Sequence, residues 1–430
     1  MSILIKNASY ILTQSRDRDV LNNCDILIEK NRITKIQRGI KEKADETIDA
    51  KDKAVLPGLI NVHTHSAMTL FRGIADDLDL HEWLEKKIDP LEDKLNENDV
   101  YYGALVAAIE MIKSGTTSFF DMYFFMDNVA KACKEIGIRG FLSFGLSDKK
   151  HTLEEVEKKI SECEEFIKKW QNDGLVTPSI GPHAIYTCSG KFLQQLKNLS
   201  EKYNVMIHMH LSETKKEIED SKKEFRMLPV EYLDSLKLLS PQLVIAHAIW
   251  LTEKEMDLLK VYDVKVAHCP ISNLKLGSGL ASIHEMRKKG ITVGLGNDSV
   301  ASNNNFDLFE EMKFSALLQK GKYFDSKVIS AQDALDMATI GGAKCLRMEN
   351  ELGTIEEGKL ADLILVDLEK PHLTPIHNIV SHLVYSATGS DVSTTIINGR
   401  IVMKDRKVLT MNESEILKKT QETANDLIKR

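Results

Sequence analysis

No apolar run in this 430-residue chain reaches the roughly 18 residues needed to span a bilayer, so no membrane-crossing helix is expected. The N-terminus offers no secretory leader either. Met1 to Tyr10 alternates like a short strand and lacks the longer apolar core and small-residue cleavage site of a signal peptide. Cysteines are few and scattered: Cys24, Cys133, Cys163, Cys188, Cys269 and Cys345 include no Cys-x-x-Cys pair. That spacing belongs to reduced, packed thiols, and a cytoplasmic location is expected. An excess of basic residues is missing as well. With 57 Lys and Arg against 64 Asp and Glu, the formal net charge is -7, which argues against a sequence-independent nucleic-acid binder. Low-complexity linkers are absent, as are repeats beyond the alternation described next.

What is present is an ordinary globular composition, 43% hydrophobic, in a chain long enough for an α/β barrel of about 250 residues plus a smaller module. Residues Ser2 to about Val55 read as short strands broken by turns: Ile3–Ile5, Asp25–Ile28 and Ile33–Ile36, with a tight turn at Asn31-Arg32. From Leu56 strand and helix alternate. After an opening strand Leu56 to His65, apolar strands are predicted at Thr116–Tyr123, Gly140–Leu146, Val176–Tyr186, Val205–Ser212, Leu243–Trp250, Val264–Cys269 and Ile291–Asn297. The clearest intervening helix is Leu153 to Trp170, where Leu153, Val156, Ile160, Cys163, Ile167 and Trp170 form one apolar stripe. Eight such units predict a parallel (β/α)8 barrel. Beyond about Leu346 strands and turns return, with a hairpin signal at Asn398-Gly399 and a helix cap at Asn412-x-x-Glu415. The tail completes the sheet begun by the first segment. The expected architecture is therefore a TIM-like barrel over 56–346 inserted into a small discontinuous β-sandwich made of 1–55 and 347–430, with a C-terminal helix.

Barrel chemistry gathers at the C-terminal ends of the strands. There the first strand delivers His63 and His65, two residues apart and so on one face. The fourth ends in His183, the fifth in His208-Met209-His210 followed by Glu213, the sixth in His247, the seventh in His268 and the eighth in Asp298. Each alone reads as readily as a structural or solvated strand-end histidine. His268 reads as a structural residue of its Cys-Pro turn, but imidazoles and an acid on the other five strands at one rim point to a divalent metal instead. Cys269 beside His268 does not read as a nucleophile, because Pro270 follows and the metal reading needs no thiol. His81, His151, His284, His372, His377 and His382 read as surface or packing residues.

Across nearly its whole length the chain resembles the amidohydrolase superfamily, and within it the branch of 5'-methylthioadenosine/S-adenosylhomocysteine deaminases and related chlorohydrolases. The likeness rests on Pro57-Gly58-Leu59-Ile60-Asn61-Val62-His63-Thr64-His65, Met68 to Gly73, Trp83-Leu84 with Pro90-Leu91-Glu92, Gly181-Pro182-His183, His210-Leu211-Ser212-Glu213, Ser272 to Leu276, and Asp298 with Ala301 to Asn304. The resemblance implies one divalent metal, zinc in the first instance with iron or manganese possible by ligand type, held by His63, His65, His210 and Asp298. It implies that Glu213, His247 and Asp298 are catalytic, and that Glu92 and His183 contact substrate together with Glu213 and Asp298. A nucleoside substrate and a homo-oligomeric state are expected. Residues 176–186 hold no lysine to bridge a second metal. Trp83 would pack on the substrate or serve as a buried lid contact.

One departure bears on substrate. Members accepting S-adenosylhomocysteine resemble one another in arginines at the end of the third strand and in the loop after it. Here Phe144 stands at that end, and the loop offers Lys149, Lys150 and His151. Lysine lacks the two-pronged geometry of arginine toward a carboxylate. The expectation is an adenosine-type deaminase preferring 5'-methylthioadenosine, 5'-deoxyadenosine or adenosine over S-adenosylhomocysteine, with Phe144 an apolar neighbour of the 5' group. A guanine deaminase or triazine hydrolase would share the metal rim, but Glu92 with a ribose to hold favours a nucleoside. A catalytically dead scaffold should have lost ligands, and none is missing.

Overall fold

The expected opening strand is two strands in the computed structural model, which describes residues 2–430 and leaves Met1 outside. Lys53–Pro57 belongs to an outlying sheet, whereas Leu59–Thr64 starts the barrel. The break falls at Gly58, where a Cβ atom would lie 2.1 Å from the Thr117 Oγ1. Glycine alone lets the backbone pass so close while it crosses between sheets.

Eight parallel strands follow, here β1 Leu59–Thr64, β2 Thr116–Tyr123, β3 Arg139–Leu146, β4 Val176–Pro182, β5 Ile207–Leu211, β6 Leu243–His247, β7 Lys265–His268 and β8 Val293–Leu295. They pair in sequence order, and the ring closes where Thr64 bridges Asp298, whose N–H donates to the His63 carbonyl at 2.9 Å. The strands stop earlier than their apolar runs because the rim residues leave the ladder to form the site. Inside the barrel Ile60, Val62, Phe120, Phe141, Val244, Ala246 and Ala267 form a packed plug, so the functional end is a floor rather than a pore.

Between β3 and β4 the helix runs from Leu153 to Trp170, opened by a reciprocal cap between Thr152 and Glu155. Val156, Cys163, Phe166 and Ile167 are its buried face. Leu153, placed on that face by periodicity, is 80% exposed on the first turn, and Trp170 is half-buried with its Nε1 donating to Asp127.

The remaining strands form two sheets facing each other. One is four-stranded, built from Ser2–Ala8, Cys24–Glu29, Arg32–Gln37 and Glu46–Asp49. The other is seven-stranded and mixes both ends of the chain: Lys53–Pro57 pairs antiparallel with Leu363–Asp367. Ile3, Ile5, Ile26 and Ile28 of the first pack on Ile11, Val55, Leu363 and Leu365 of the second. The turn expected at Asn31-Arg32 falls one residue earlier, at Lys30-Asn31, because Arg32 already pairs with Glu29. Asn398 and Gly399, at φ 49° and 71°, form the hairpin turn. At the start of β3, Arg139 makes a buried two-pronged ion pair with Asp362, at 3.0 and 3.2 Å, tying barrel to sandwich. Among the described residues no helix is long and apolar enough to cross a membrane, and all six cysteines are buried and unpaired.

Candidate metal centre

Strand alternation projects His63 and His65 from β1, and His208 and His210 from β5, toward the same end of the barrel. Four atoms converge there. His65 Nε2 lies 3.2 Å from His210 Nε2 and 3.3 Å from Asp298 Oδ1, and His63 Nε2 lies 3.4 Å from the same oxygen. The His63 Nε2 is fully buried and has no hydrogen-bond partner. Ligands about 2.0–2.1 Å from a tetrahedral ion stand about 3.3–3.4 Å apart along the edges. The observed separations match that edge, so the donor set fits a divalent cation of zinc's size. His247 shares the space: the ligand atoms of His63, His210 and His247 also lie within 4.8 Å of one another.

The outward-facing atoms of these groups are tied down. His65 Nδ1 donates to the Met122 carbonyl at 2.7 Å, and His210 Nδ1 to the His183 carbonyl at 2.8 Å. Asp298 Oδ2 accepts from Ser272 Oγ at 2.6 Å and Ser302 Oγ at 3.2 Å, which leaves Oδ1 for the centre. The electrostatics of these groups are set by burial and by one another. Burial holds His63 down at about 4. It opposes charge on His65 too, but the Asp298 carboxylate and the Met122 carbonyl outweigh it and hold that ring up at about 9. Burial likewise resists charge on Asp298, and the two imidazoles override it, keeping the carboxyl well below its ordinary range.

Glu213 stands beside this centre and not in it, its Oε2 3.8 Å from His247 Nε2. Burial raises its pKa, with His247 opposing. Its backbone is held by Glu217, whose carboxylate accepts from Ser212 N at 2.9 Å and Glu213 N at 2.8 Å. His247 Nδ1 donates to Asn273 Oδ1 at 2.8 Å, so the lone pair of Nε2 faces the centre. Ser212, His247 and Asp298 all have left-handed backbone, at φ 55°, 71° and 63°. Three non-glycine residues in that region at one rim are a local strain that the surrounding hydrogen bonds sustain.

The predicted substrate contacts divide. Glu92, half-buried at the end of a short helix Asp89–Glu92, has its pKa pushed up to about 7 by burial, against the Tyr123 hydroxyl and His65. His183 lies 4.9 Å from His210, ring centre to ring centre, with Nδ1 3.0 Å from Thr187 Oγ1. Trp83 is buried, its indole N–H unpartnered. Phe144 does not join them. On β3 its neighbour Ser143 faces inward to Ser179 and His208, so Phe144 points to the opposite face, where its ring is 5.9 Å from Phe166 of the helix layer. It therefore cannot line the 5' end of a substrate. His81, read from the sequence as surface or packing, instead lies 6.4 Å from the Tyr186 ring, which is 5.7 Å from His183, and its Nε2 is buried without a partner. Burial holds the Cys269 thiol well above its ordinary value, so no thiolate is available there. Sequence reasoning quoted Ser272 and Asn273 in a motif of the family likeness without giving them a role, and passed over Glu217, whose only signal was its place after a strand end.

Behind Asp298 a buried polar network sets the loop. Asn61 Nδ2 donates to Asn297 Oδ1 at 2.7 Å, Asn297 Nδ2 donates to Glu311 Oε1 at 3.2 Å, and Asn303 Nδ2 donates to both Glu311 Oε1 and the Asn297 carbonyl. Burial pushes the Glu311 carboxyl up to about 8 from an ordinary 4.5, against the asparagine donors. A raised carboxyl means the folded chain holds a proton that the unfolded chain has released, so stability falls as pH rises from about 4.5 to 8. Glu311→Gln keeps an acceptor at Oε1 without the titration. Thermal unfolding of the two proteins should converge near pH 5, and the variant should lose less stability than the parent by pH 8. Parallel pH profiles would remove Glu311 as the cause.

Comparison with known proteins places these features. The model of the amidohydrolase family matches residues 54–402. The chain is 46% identical over 430 residues to a 5'-deoxyadenosine deaminase of Methanosarcina acetivorans, covering 100% of this chain and 99% of that one. It is 47% identical over 408 residues to a 5-methylthioadenosine/S-adenosylhomocysteine deaminase of Thermococcus sibiricus, covering 94% of each. Among solved structures, an adenosine deaminase from Xanthomonas campestris with bound zinc superposes with a TM-score of 0.96 at 31% identity, over 100% of this chain and 99% of that one. An atrazine chlorohydrolase from Arthrobacter aurescens shares the fold, at a TM-score of 0.92, 24% identity, and 98% and 100% coverage.

Proposed function

The chain belongs to the amidohydrolase family, and from that premise we propose that it is a metal-dependent hydrolytic deaminase of adenosine-type nucleosides, giving the inosine-type product and ammonia. The observation that carries this reading is the convergence of three imidazole nitrogens and one carboxylate oxygen, with a buried acid beside them. His63, His65, His210 and Asp298 are the ligands of one divalent ion, zinc before iron or manganese. The absence of lysine from β4 supports a single ion. The chemistry lies in the barrel domain, which begins at Leu59 instead of the expected residue 56 and runs to about residue 346, and residues 2–57 with 347–430 form the composite β domain. Six unpaired buried thiols support a reducing, cytoplasmic setting.

A bound divalent ion supplies Lewis acidity and brings the pKa of a coordinated water from 15.7 toward ~7. The protein's own groups do the rest. Glu213 takes the first proton from the attacking water and sets it on the ring nitrogen next to the amino-bearing carbon. His247, its Nδ1 proton committed to Asn273, accepts a hydrogen bond from that water through Nε2 and aims it. Oxygen adds to the carbon, giving a tetrahedral centre. Asp298 carries the second proton to the amino group, which leaves as ammonia while the carbonyl forms. Glu92 accepts from ribose hydroxyls, His183 donates to the nucleoside, and Trp83 closes the pocket wall.

The loop after β3 bears on the 5' end. Lys149 pairs with Glu224 at 2.9 Å and Lys150 lies 3.6 Å from Asp89, so both cations have acidic neighbours already. A carboxylate on the substrate would meet no two-pronged donor in this loop. The preference for uncharged adenosines thus rests on the loop alone, now that Phe144 faces the helices. In a spectrophotometric panel, 5'-deoxyadenosine, 5'-methylthioadenosine and adenosine should each exceed S-adenosylhomocysteine in kcat/KM, by about tenfold for one lost charge-assisted contact. Guanine and cytosine should give no turnover. The reverse order would overturn the substrate reading, and turnover of no aminopurine would overturn the function.

A further inference from the structure

We propose that His208, outside the ligand set, is the positioning residue that fixes the ring of His63 for the metal; the inference rests on reading His63 as a ligand. A neutral imidazole binds a metal through one nitrogen, and the hydrogen bond made by the other decides which nitrogen that is. His63 Nε2 faces the centre and has no hydrogen-bond partner. Its proton must therefore sit on Nδ1, and the atom facing Nδ1 is His208 Nε2, at 2.9 Å.

That contact dictates the second ring too. To accept from His63, His208 must carry its own proton on Nδ1, where the nearest acceptor is Ser143 Oγ at 3.4 Å. Ser143 in turn shares a 2.7 Å hydrogen bond with Ser179. A relay of donors and acceptors thus runs from the metal pocket through β5 into β3 and β4. His208 cannot swing out of it. The residue is completely buried, and its ring is stacked on Phe120 with centroids 4.0 Å apart and planes 18° apart.

The other two imidazoles differ in kind. Main-chain carbonyls of Met122 and His183 hold His65 and His210, and no substitution of those residues deletes a carbonyl. His63 alone depends on a side chain. Metal affinity is therefore adjustable at a residue that touches neither the ion nor the substrate.

The test compares the full-length wild type with His208→Phe, His208→Gln and His208→Met. Zinc affinity is measured by competition with a chromophoric chelator, and the thermal midpoint of each metal-free protein is recorded alongside. Phenylalanine keeps a flat ring against Phe120 but offers no acceptor, and should weaken zinc binding 10- to 100-fold with the metal-free midpoint preserved. Glutamine, whose Oε1 can accept from His63, should recover most of that loss. If the phenylalanine variant does not fold, the near-isosteric Gln and Met pair decides the matter: Met should bind at least tenfold more weakly than Gln. Equal zinc affinity in wild type and His208→Phe, or in Gln and Met, overturns the inference. A wild-type protein that takes up no stoichiometric metal overturns the ligand reading itself, a separate result.

Discussion

Glu213→Gln is expected to keep a full equivalent of metal and to lose a factor of about 10²–10⁴ in kcat, the range that a positioned proton carrier contributes. Two features separate the effects. The carboxylate lies 3.8 Å from His247 Nε2 and outside the cluster of ligand atoms, so its removal leaves those atoms in place. Its position is set by its backbone, through the Glu217 cradle, and that cradle does not involve the Glu213 side chain. The amide has almost the same shape but cannot take a proton at neutral pH. KM should move little, because the loss falls on proton transfer. Metal content by atomic absorption and a steady-state assay give the answer together. Near-native turnover would refute the role of Glu213, and metal loss would mean that it is a ligand after all.

His63→Ala should act on both quantities at once. The side chain is completely buried, contributes the Nε2 that has no other partner, and leaves His208 without its donor when deleted. Without the ion, the pKa of the attacking water returns from ~7 to 15.7, which lowers the hydroxide available at neutral pH by about eight orders of magnitude. Activity should drop below detection, with metal content far below one equivalent. The parent stripped by a chelator should be equally inactive and should recover on adding zinc, whereas the variant should not. Full metal occupancy in His63→Ala would contradict the ligand set.

Some of this site could be read along the chain, and some could not. His63 and His65 stood out because a period of two on one strand guarantees a shared face, His210 and Asp298 because they end barrel strands, and the resemblance joined the four into one ligand set. The helix from Leu153 to Trp170 was legible for a comparable reason, since its cap and stripe are local. What escaped were pairings between strands. Nothing in the order of residues says that His208 meets His63, 145 positions away, or that Asn273 meets His247. Phe144 failed for a subtler reason. Its place at a strand end was right, but facing depends on register, and one residue of shift reverses it. Gly58 hid the opposite error: a continuous apolar run concealed a crossing between sheets.

The point where Asp298 docks beside Thr64 has a consequence for how the catalyst comes into being. The acid that completes the pocket follows the last barrel strand to be synthesised, and it reaches its station by pairing back beside the first barrel strand. A chain interrupted before residue 293 would carry the three imidazole ligands and still lack the carboxylate. Chemistry here is armed by closure of the ring, and damage that merely loosens the eighth barrel unit would silence the protein while its interior stayed shut.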